Sequence, residues 1–249
     1  MPADSDHEDQ PDLDAIGALA EPSRRALYDY VTGRRTWVSR EDAADGVGLQ
    51  RGIAAHHLDR LAADGLLEVD YQRQGSRSGP GAGRPAKVYR RSPGERGVSL
   101  PPRRYDLAGR LLAEAADRSR VDGTPIEQAI DRAARDEGHR IGAAARRALG
   151  RRTRTAARRD GVVDQLRLRG FEPETRDDGV VVLHNCPFHL LAKEHTELVC
   201  GMNLCMRRGV LAEVGDTGLD ARLEPTEGTC CVRLRPDTPG GENRPDVDS

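Results

Sequence analysis

Along the first third of the chain, apolar residues recur at helical spacing. In DLDAIGALAEPSRRALYDYVTG, residues 12–33, Ile16, Leu19, Ala20, Leu27 and Val31 fall on one face, and Pro22 opens a second helix at its first turn. Ser39-Arg40-Glu41-Asp42 then forms a capping box, in which Ser39 takes the free amide of Asp42 and starts a helix reaching about Ala44. Gly46-Val47-Gly48 supplies a tight turn, and a helix from Gln50 to Asp64 stops at Gly65. Two short helices joined by such a turn predict a helix-turn-helix. Ile53, His57, Leu58 and Leu61 form the buried stripe of its second helix, leaving Gln50, Arg51, Ala55, His56 and Arg60 outward. His57 reads as a packed histidine. Next, LLEVDYQRQGSRSGPGAGRPAKVYRRS has β-prone ends around a Gly/Ser/Pro tip, which predicts a hairpin and makes the segment a winged helix.

VSLPPRRY, residues 98–105, reads as a Pro-broken linker. Asp106–Ser119 and Pro125–Leu149 return to helical periodicity, with a thin stripe of Leu107, Leu111, Leu112 and Ala115, then Ile126, Ile130, Ala133 and Ile141. This stretch, 98–151, reads as a connector through which a homodimer forms. From residue 152 a helix runs into a strand, Asp177-Asp178-Gly179 turns a hairpin, and a Cys-rich helical stretch follows. A second hairpin over 219–235 then predicts a compact domain with one antiparallel sheet. The predicted fold class is α+β: an acidic tail (1–12), a winged helix-turn-helix (13–97), the connector, a cysteine-containing domain (152–235) and a terminal tail (236–249).

Charge sharpens this picture. The net charge is −2, but residues 70–97 hold Arg73, Arg77, Arg84, Lys87, Arg90, Arg91 and Arg96 against Asp70 and Glu95. Six acids without a base lie within residues 1–14, and such a tail is predicted to be disordered. A basic patch beside a helix-turn-helix points to double-stranded DNA, with a palindromic operator for a dimer. On that reading Gln50, Arg51, Ala55, His56 and Arg60 face the major groove, and Arg73, Arg77, Arg84 and Lys87 contact phosphates or the minor groove. The other use of a winged helix is protein contact. With no basic leader and no long apolar run, the sequence predicts a cytoplasmic protein outside the membrane.

The chemistry-bearing stretch is LHNCPFHLLAKEHTELVCGMNLC, residues 183–205. It holds Cys186, Cys200 and Cys205, and Cys230 and Cys231 complete the five cysteines. Cys186 precedes Pro187, a good first helical residue, so its thiol lies at a helix N-terminus that favours thiolate. Cys200 and Cys205 point roughly 140° apart on one helix and cannot readily share an ion. Leu198, Met202, Cys205 and Gly209 form a stripe that marks Cys205 as core. Cys230 and Cys231, read as strand neighbours, face opposite sides, Cys230 inward with Val232 and Leu234, Cys231 outward with Arg233. The set is Cys186, Cys200 and Cys230. No CxxC pair is present, so spacing alone leaves a metal centre and buried structural thiols both open.

ALAEPSRRALYDYV, AAHHLDRLAADGLLEV and SGPGAGRPAKVYRR together resemble the winged-helix domain of ArsR-like bacterial transcriptional regulators over residues 13–92. The GRPAKVY wing and NCPFH…LVC…GTCCVRL are similar to the branch containing the SufR iron-sulfur repressors. The resemblance implies a repressor whose Cys186, Cys200 and Cys230 bind an iron-sulfur cluster, 2Fe-2S or 4Fe-4S, that controls operator affinity. The cluster needs a fourth ligand, with His189 first and His195 second as candidates. Cys205, Cys231 and the CPFH run depart from the family pattern, and zinc on three cysteines and a histidine, or a thiol switch, is the alternative. The arsenic- and cadmium-sensing members place cysteines in the DNA-binding domain, which here has none. An enzyme acting on a small apolar ligand is the reading from another class. No acid/base pair, nucleophile triad or phosphate loop supports it, and the expectation is a non-enzyme.

Overall fold

The computed structural model describes residues 9–73, 85–150 and 154–237. The chain divides into two compact units, Met1–Val98 and Ser99–Ser249. Both mix helices with a small antiparallel sheet, so the protein is α+β.

In the N-terminal unit, α1 (Asp9–Ala18) and α2 (Pro22–Thr32) precede a two-residue strand β1 (Val38–Ser39). Then come α3 (Arg40–Val47), α4 (Arg51–Ala63), β2 (Leu67–Gln72) and β3 (Ala86–Arg91), in a sheet of order β1-β3-β2. Local chemistry sets the boundaries. Glu21 accepts from the amides of Ser23 and Arg24 at the start of α2, where Pro22 has no amide to satisfy. Ser39 Oγ accepts from Asp42 N at 3.1 Å, while the Asp42 carboxylate accepts from the Ser39 hydroxyl, not from its amide. Gly48, at φ 72°, caps α3 in the left-handed conformation and starts the turn into α4.

The core of this unit gathers Leu27, Val31, Ala44, Ala54, Leu58, Leu61, Leu67 and Tyr89. Ile53, expected inside, is 45 % exposed. The inward residues of α4 are Ala54, Leu58 and Leu61, at i, i+4 and i+7, and Ile53 lies one residue out of that phase. Residues 9–12, expected in a disordered tail, belong to α1. Asp12 is buried and accepts from Arg96 Nη1 at 2.7 Å and from Gly97 N at 3.2 Å. The hairpin tip, with Arg77 and Arg84, lies outside the described residues.

Asp59 ties α4 to the sheet, accepting from Arg40, Lys87 Nζ at 2.6 Å and the Tyr89 hydroxyl. Burial raises its carboxyl pKa, but the hydrogen bonds from Lys87, Tyr89 and Arg40 outweigh that and bring it to about 2. A depressed pKa contributes stability that is complete above the unfolded value of about 4 and is lost as pH falls toward 2. Asp59→Asn is expected to lower the stability of this unit at neutral pH by about 1–2 kcal/mol after discounting for solvent screening. Urea titrations at several pH values check it, since the variant must also lose part of the stability change between pH 4 and 2.

In the C-terminal unit the order is α5 (Tyr105–Asp122), α6 (Ile126–Leu149), α7 (Thr155–Leu168), β4 (Pro173–Thr175), β5 (Val181–Leu183), α8 (His189–Glu194), α9 (Thr196–Val214), β6 (Leu219–Leu223) and β7 (Val232–Pro236). The sheet order is β4-β5-β7-β6. α9 is the central element, packed on α6 on one side and on β6 and β7 on the other. The stretch read as a separate connector has no core of its own. Leu111 and Ala115 of α5 and Ile130, Ala134 and Ile141 of α6 share one core with Val162, Phe171, Met206, Val210 and Leu234.

The approach of α6 to α9 rests on glycine. A Cβ at Gly138 would overlap Met206 O and come within 2.9 Å of Gly209 Cα, and one at Gly142 would lie 2.8 Å from Val210 O. The stripe of α6 is thus covered by the same chain's α9. Residues 236 and 237, expected in a tail, still belong to the sheet region, with Asp237 N donating to Gly218 O at 2.8 Å.

Candidate functional site

Four of the five cysteines come together where β5, α9 and β7 meet. Cys186 lies just beyond β5, Cys200 in the second turn of α9, and Cys230 and Cys231 in the bend before β7. Because β7 starts at Val232, the strand alternation expected to separate Cys230 from Cys231 does not apply to them. The Cys186 thiol shifts in response to Cys230, and that of Cys200 in response to Cys231, which makes each pair neighbours. Cys231 is therefore part of the group and not outward-facing beside it. Cys205 points elsewhere, toward Asp131 and Arg135 on α6.

Protonation differs across the group. The neighbouring Cys230 lowers the Cys186 pKa against the effect of burial, helped by the Phe188 amide and by the charges of Arg207 and Arg103. Cys230 moves up, since its neighbour ionises first and it is buried. Burial, then the contact with Cys231, raises Cys200. Cys186 is the thiol that ionises most readily among these three.

The Asn-Cys-Pro turn is clamped to the start of the unit. Arg103 Nη1 donates to Asn185 Oδ1 at 2.6 Å and to Cys186 O at 2.9 Å. Asn185 Nδ2 donates to Pro102 O and Gly170 O, and Arg104 N to Pro187 O. The Pro-broken linker read from the sequence is thus fixed to the Cys186 turn over residues 102–104. Pro187 sits in that turn and not in a helix. α8 begins at His189, whose amide donates to Cys186 O at 3.0 Å. The His189 and His195 side chains are exposed, and the fourth donor grouped with Cys186, Cys200 and Cys230 is the Cys231 thiol.

Sequence reasoning missed two further residues. Asn203 and Arg207 lie one turn apart on α9, both buried, and Asn203 Nδ2 donates to Cys230 Sγ at 3.3 Å. The available signal was their i, i+4 placement in an otherwise largely apolar helix.

Four thiolates are the usual ligands of both 2Fe-2S and 4Fe-4S centres, and four thiols are neighbours here. A buried guanidinium N–H without a partner, Arg207 Nη1, lies on the adjoining turn of α9 and suits an anionic occupant. The thiols nonetheless stand as two pairs. Among the described residues no three His, Cys, Asp or Glu side chains converge as a metal would require.

In the N-terminal unit, the outer face of α4 carries Gln50, Arg51, Ile53, His56 and Arg60, all exposed, whereas Ala55 is half-buried. Gln50 makes no side-chain capping bond. Arg51 pairs with Glu41 at 2.8 Å, and Arg60 with Asp64 at 2.9 Å. Lys87, expected on phosphate, is instead held by Asp59, while Arg73 is exposed. His57 is mostly buried, with Nε2 3.8 Å from Glu21. No helix among the described residues is long and apolar enough to cross a membrane.

Comparison of the chain with protein-family models, curated proteins and solved structures finds no match.

Proposed function

We propose that the protein is a homodimeric, DNA-binding transcriptional regulator, a repressor, whose C-terminal cysteines hold an iron-sulfur cluster that sets operator affinity. The grouping of Cys186, Cys200, Cys230 and Cys231 carries the sensing half of this reading. For the DNA half, α3, the Gly48 turn, α4 and the β2–β3 hairpin follow the order of a winged helix. Gln50, Arg51, His56 and Arg60 on the exposed face of α4 suit base edges and phosphates, and Ile53 suits a thymine methyl.

Cys186, Cys200, Cys230 and Cys231 are the residues that would hold the cluster, which when bound supplies a centre sensitive to oxidant and iron supply. Arg103 and Asn185 join the Cys186 turn to residues 102–104, which continue along the chain toward the DNA-binding unit. A change at Cys186 would thereby reach residues 102–104, at the start of the same unit.

Two coupled measurements test this reading. Protein purified without oxygen is expected to be brown, with near-equal iron and acid-labile sulfide. Loaded and empty forms are then expected to differ in band-shift affinity for the protein's own promoter, and Arg51→Ala to weaken both. Equal affinity of the two forms would remove the coupling. The two neighbouring thiol pairs favour a second reading, a thiol switch. Colourless protein without metal, whose DNA affinity follows thiol oxidation, would select it, and colourless zinc protein would select the metal alternative.

A further inference from the structure

The last turns of α6 and α9 and the first turn of α7 surround a cavity of about 690 Å³, at the opposite end of α9 from Cys200. Leu149 brings α6 onto α7, where a Cβ at Gly161 would lie 2.8 Å from its Cδ1. That approach sets Arg146 and Arg147 of α6 in one lining with Arg158 of α7 and with Glu213 and Val214 of α9. The volume falls within the ordinary range of small-ligand sites, roughly 300–1,000 Å³.

Three guanidinium groups share this wall with one carboxylate. Glu213 is already divided, accepting from Arg146 Nη1 at 2.8 Å and facing His139 Nδ1 at 3.3 Å. Asp216, the next acid along the chain, accepts from the Thr155 hydroxyl at 2.8 Å. Among the described residues, neither the Arg147 nor the Arg158 side chain makes a hydrogen bond or an ion pair. Helix dipoles explain only part of this arrangement. Arg146 and Arg147 lie in the last turn of α6, where a cation is favoured. Arg158 lies in the first turn of α7, where a cation is disfavoured. It is also half-buried, and a Cβ at Gly215 would lie 3.5 Å from its Nη1. A guanidinium keeps its proton, so an anion from outside is what would compensate it.

We infer that this cavity binds a small organic phosphate, a phosphomonoester whose dianion is held by Arg147 and Arg158 and whose organic body lies against Leu149 and Val214. A phosphomonoester carries close to two negative charges at neutral pH and three acceptor oxygens, enough for both arginines, whereas a carboxylate brings one charge for two. The wall is concave and partly apolar, which suits a compact ligand better than a nucleic-acid strand. The site is separate from the cysteines and from α4, and it stands whatever those residues bind.

The test titrates phenyl phosphate, inorganic phosphate and phenol into the full chain at low salt, read by calorimetry and by thermal midpoint. Phenyl phosphate is expected to bind saturably at a single site per chain and to raise the midpoint, with inorganic phosphate weaker and phenol inert. Arg147→Ala, at an exposed position outside the core, and Arg158→Gln are each expected to weaken phenyl phosphate about tenfold. Glu213→Gln is expected to tighten it several-fold, because it removes the competing charge and releases Arg146. Arg120→Ala, at an exposed α5 arginine outside the lining, leaves it unchanged. Absence of saturable phenyl phosphate binding overturns the inference. Equal weakening in Arg120→Ala assigns the effect to overall charge, and weakening in Glu213→Gln assigns it to packing, and either overturns the inference as well. Random-sequence duplex DNA that displaces phenyl phosphate, with its own affinity lowered by Arg147→Ala and Arg158→Gln, assigns both arginines to nucleic acid and overturns the small-ligand site.

Discussion

Gly138→Ala is expected to destabilise the C-terminal unit by roughly 3 kcal/mol, seen as a fall in its urea midpoint with the N-terminal unit unaffected. The added methyl would overlap Met206 O and come within 2.9 Å of both Gly209 Cα and Val210 N. All three are backbone atoms, which cannot rotate aside, so α6 and α9 must separate along the contact that closes the core. Gly201 supplies the control, because a Cβ there meets nothing within 4 Å and α9 gains helix propensity. Gly201→Ala is expected to be neutral or stabilising by up to about 1 kcal/mol. Equal effects at the two positions would mean that α6 and α9 do not approach at Gly138.

Cys231→Ser is expected to abolish or bleach the visible absorption of anaerobically prepared protein, and Cys205→Ser to leave it intact. The two residues are easily exchanged on paper, since both depart from the family pattern. Their surroundings separate them: Cys231 neighbours Cys200, while Cys205 neighbours Asp131 and Arg135 on α6. Serine keeps nearly the volume of cysteine but replaces a soft thiolate by a hydroxyl that rarely ionises, so loss of colour reports ligation more than packing. Iron and sulfide per chain, with far-UV circular dichroism to confirm folding, make the measurement. Full iron in Cys231→Ser with loss in Cys205→Ser would reverse the assignment.

Much of the element pattern was legible because local chemistry fixes it. Pro22, the Ser39 cap, Gly65 after α4 and the Asp177-Asp178-Gly179 turn each act within a few residues. What escaped depends on tertiary context. Ile53 is the bulkier residue, yet Ala54 takes the inward position, because the phase of α4 is set by Leu58 and Leu61. The α6 stripe looked too thin for a core since alanine and glycine read as weakly apolar, although they are what a close helix crossing requires. Cys231 was set aside on a strand rule that begins to hold only at Val232. Arg207 drew no reading from the sequence, because an arginine buried without a carboxylate is rare. The outward face of α4 was readable apart from Ala55 and Ile53, whereas the engagement of Lys87 by Asp59, more than twenty residues away, was not.

The ion pairs of the α4 arginines bear on how such a helix would meet a polyanion. Arg51 and Arg60 each hold a carboxylate, Glu41 and Asp64. Exposed pairs of this kind are worth at most about 1 kcal/mol, so a phosphate can take the arginine. The abandoned carboxylate then gathers sodium or potassium from solution while the nucleic acid sheds its own, and the two ion flows partly cancel. Affinity for DNA would therefore depend on salt less steeply than the number of arginine–phosphate contacts suggests. Random sequence, offering charge but no matching base edges, would gain little from breaking these pairs, so Glu41 and Asp64 would act as a filter against indiscriminate binding.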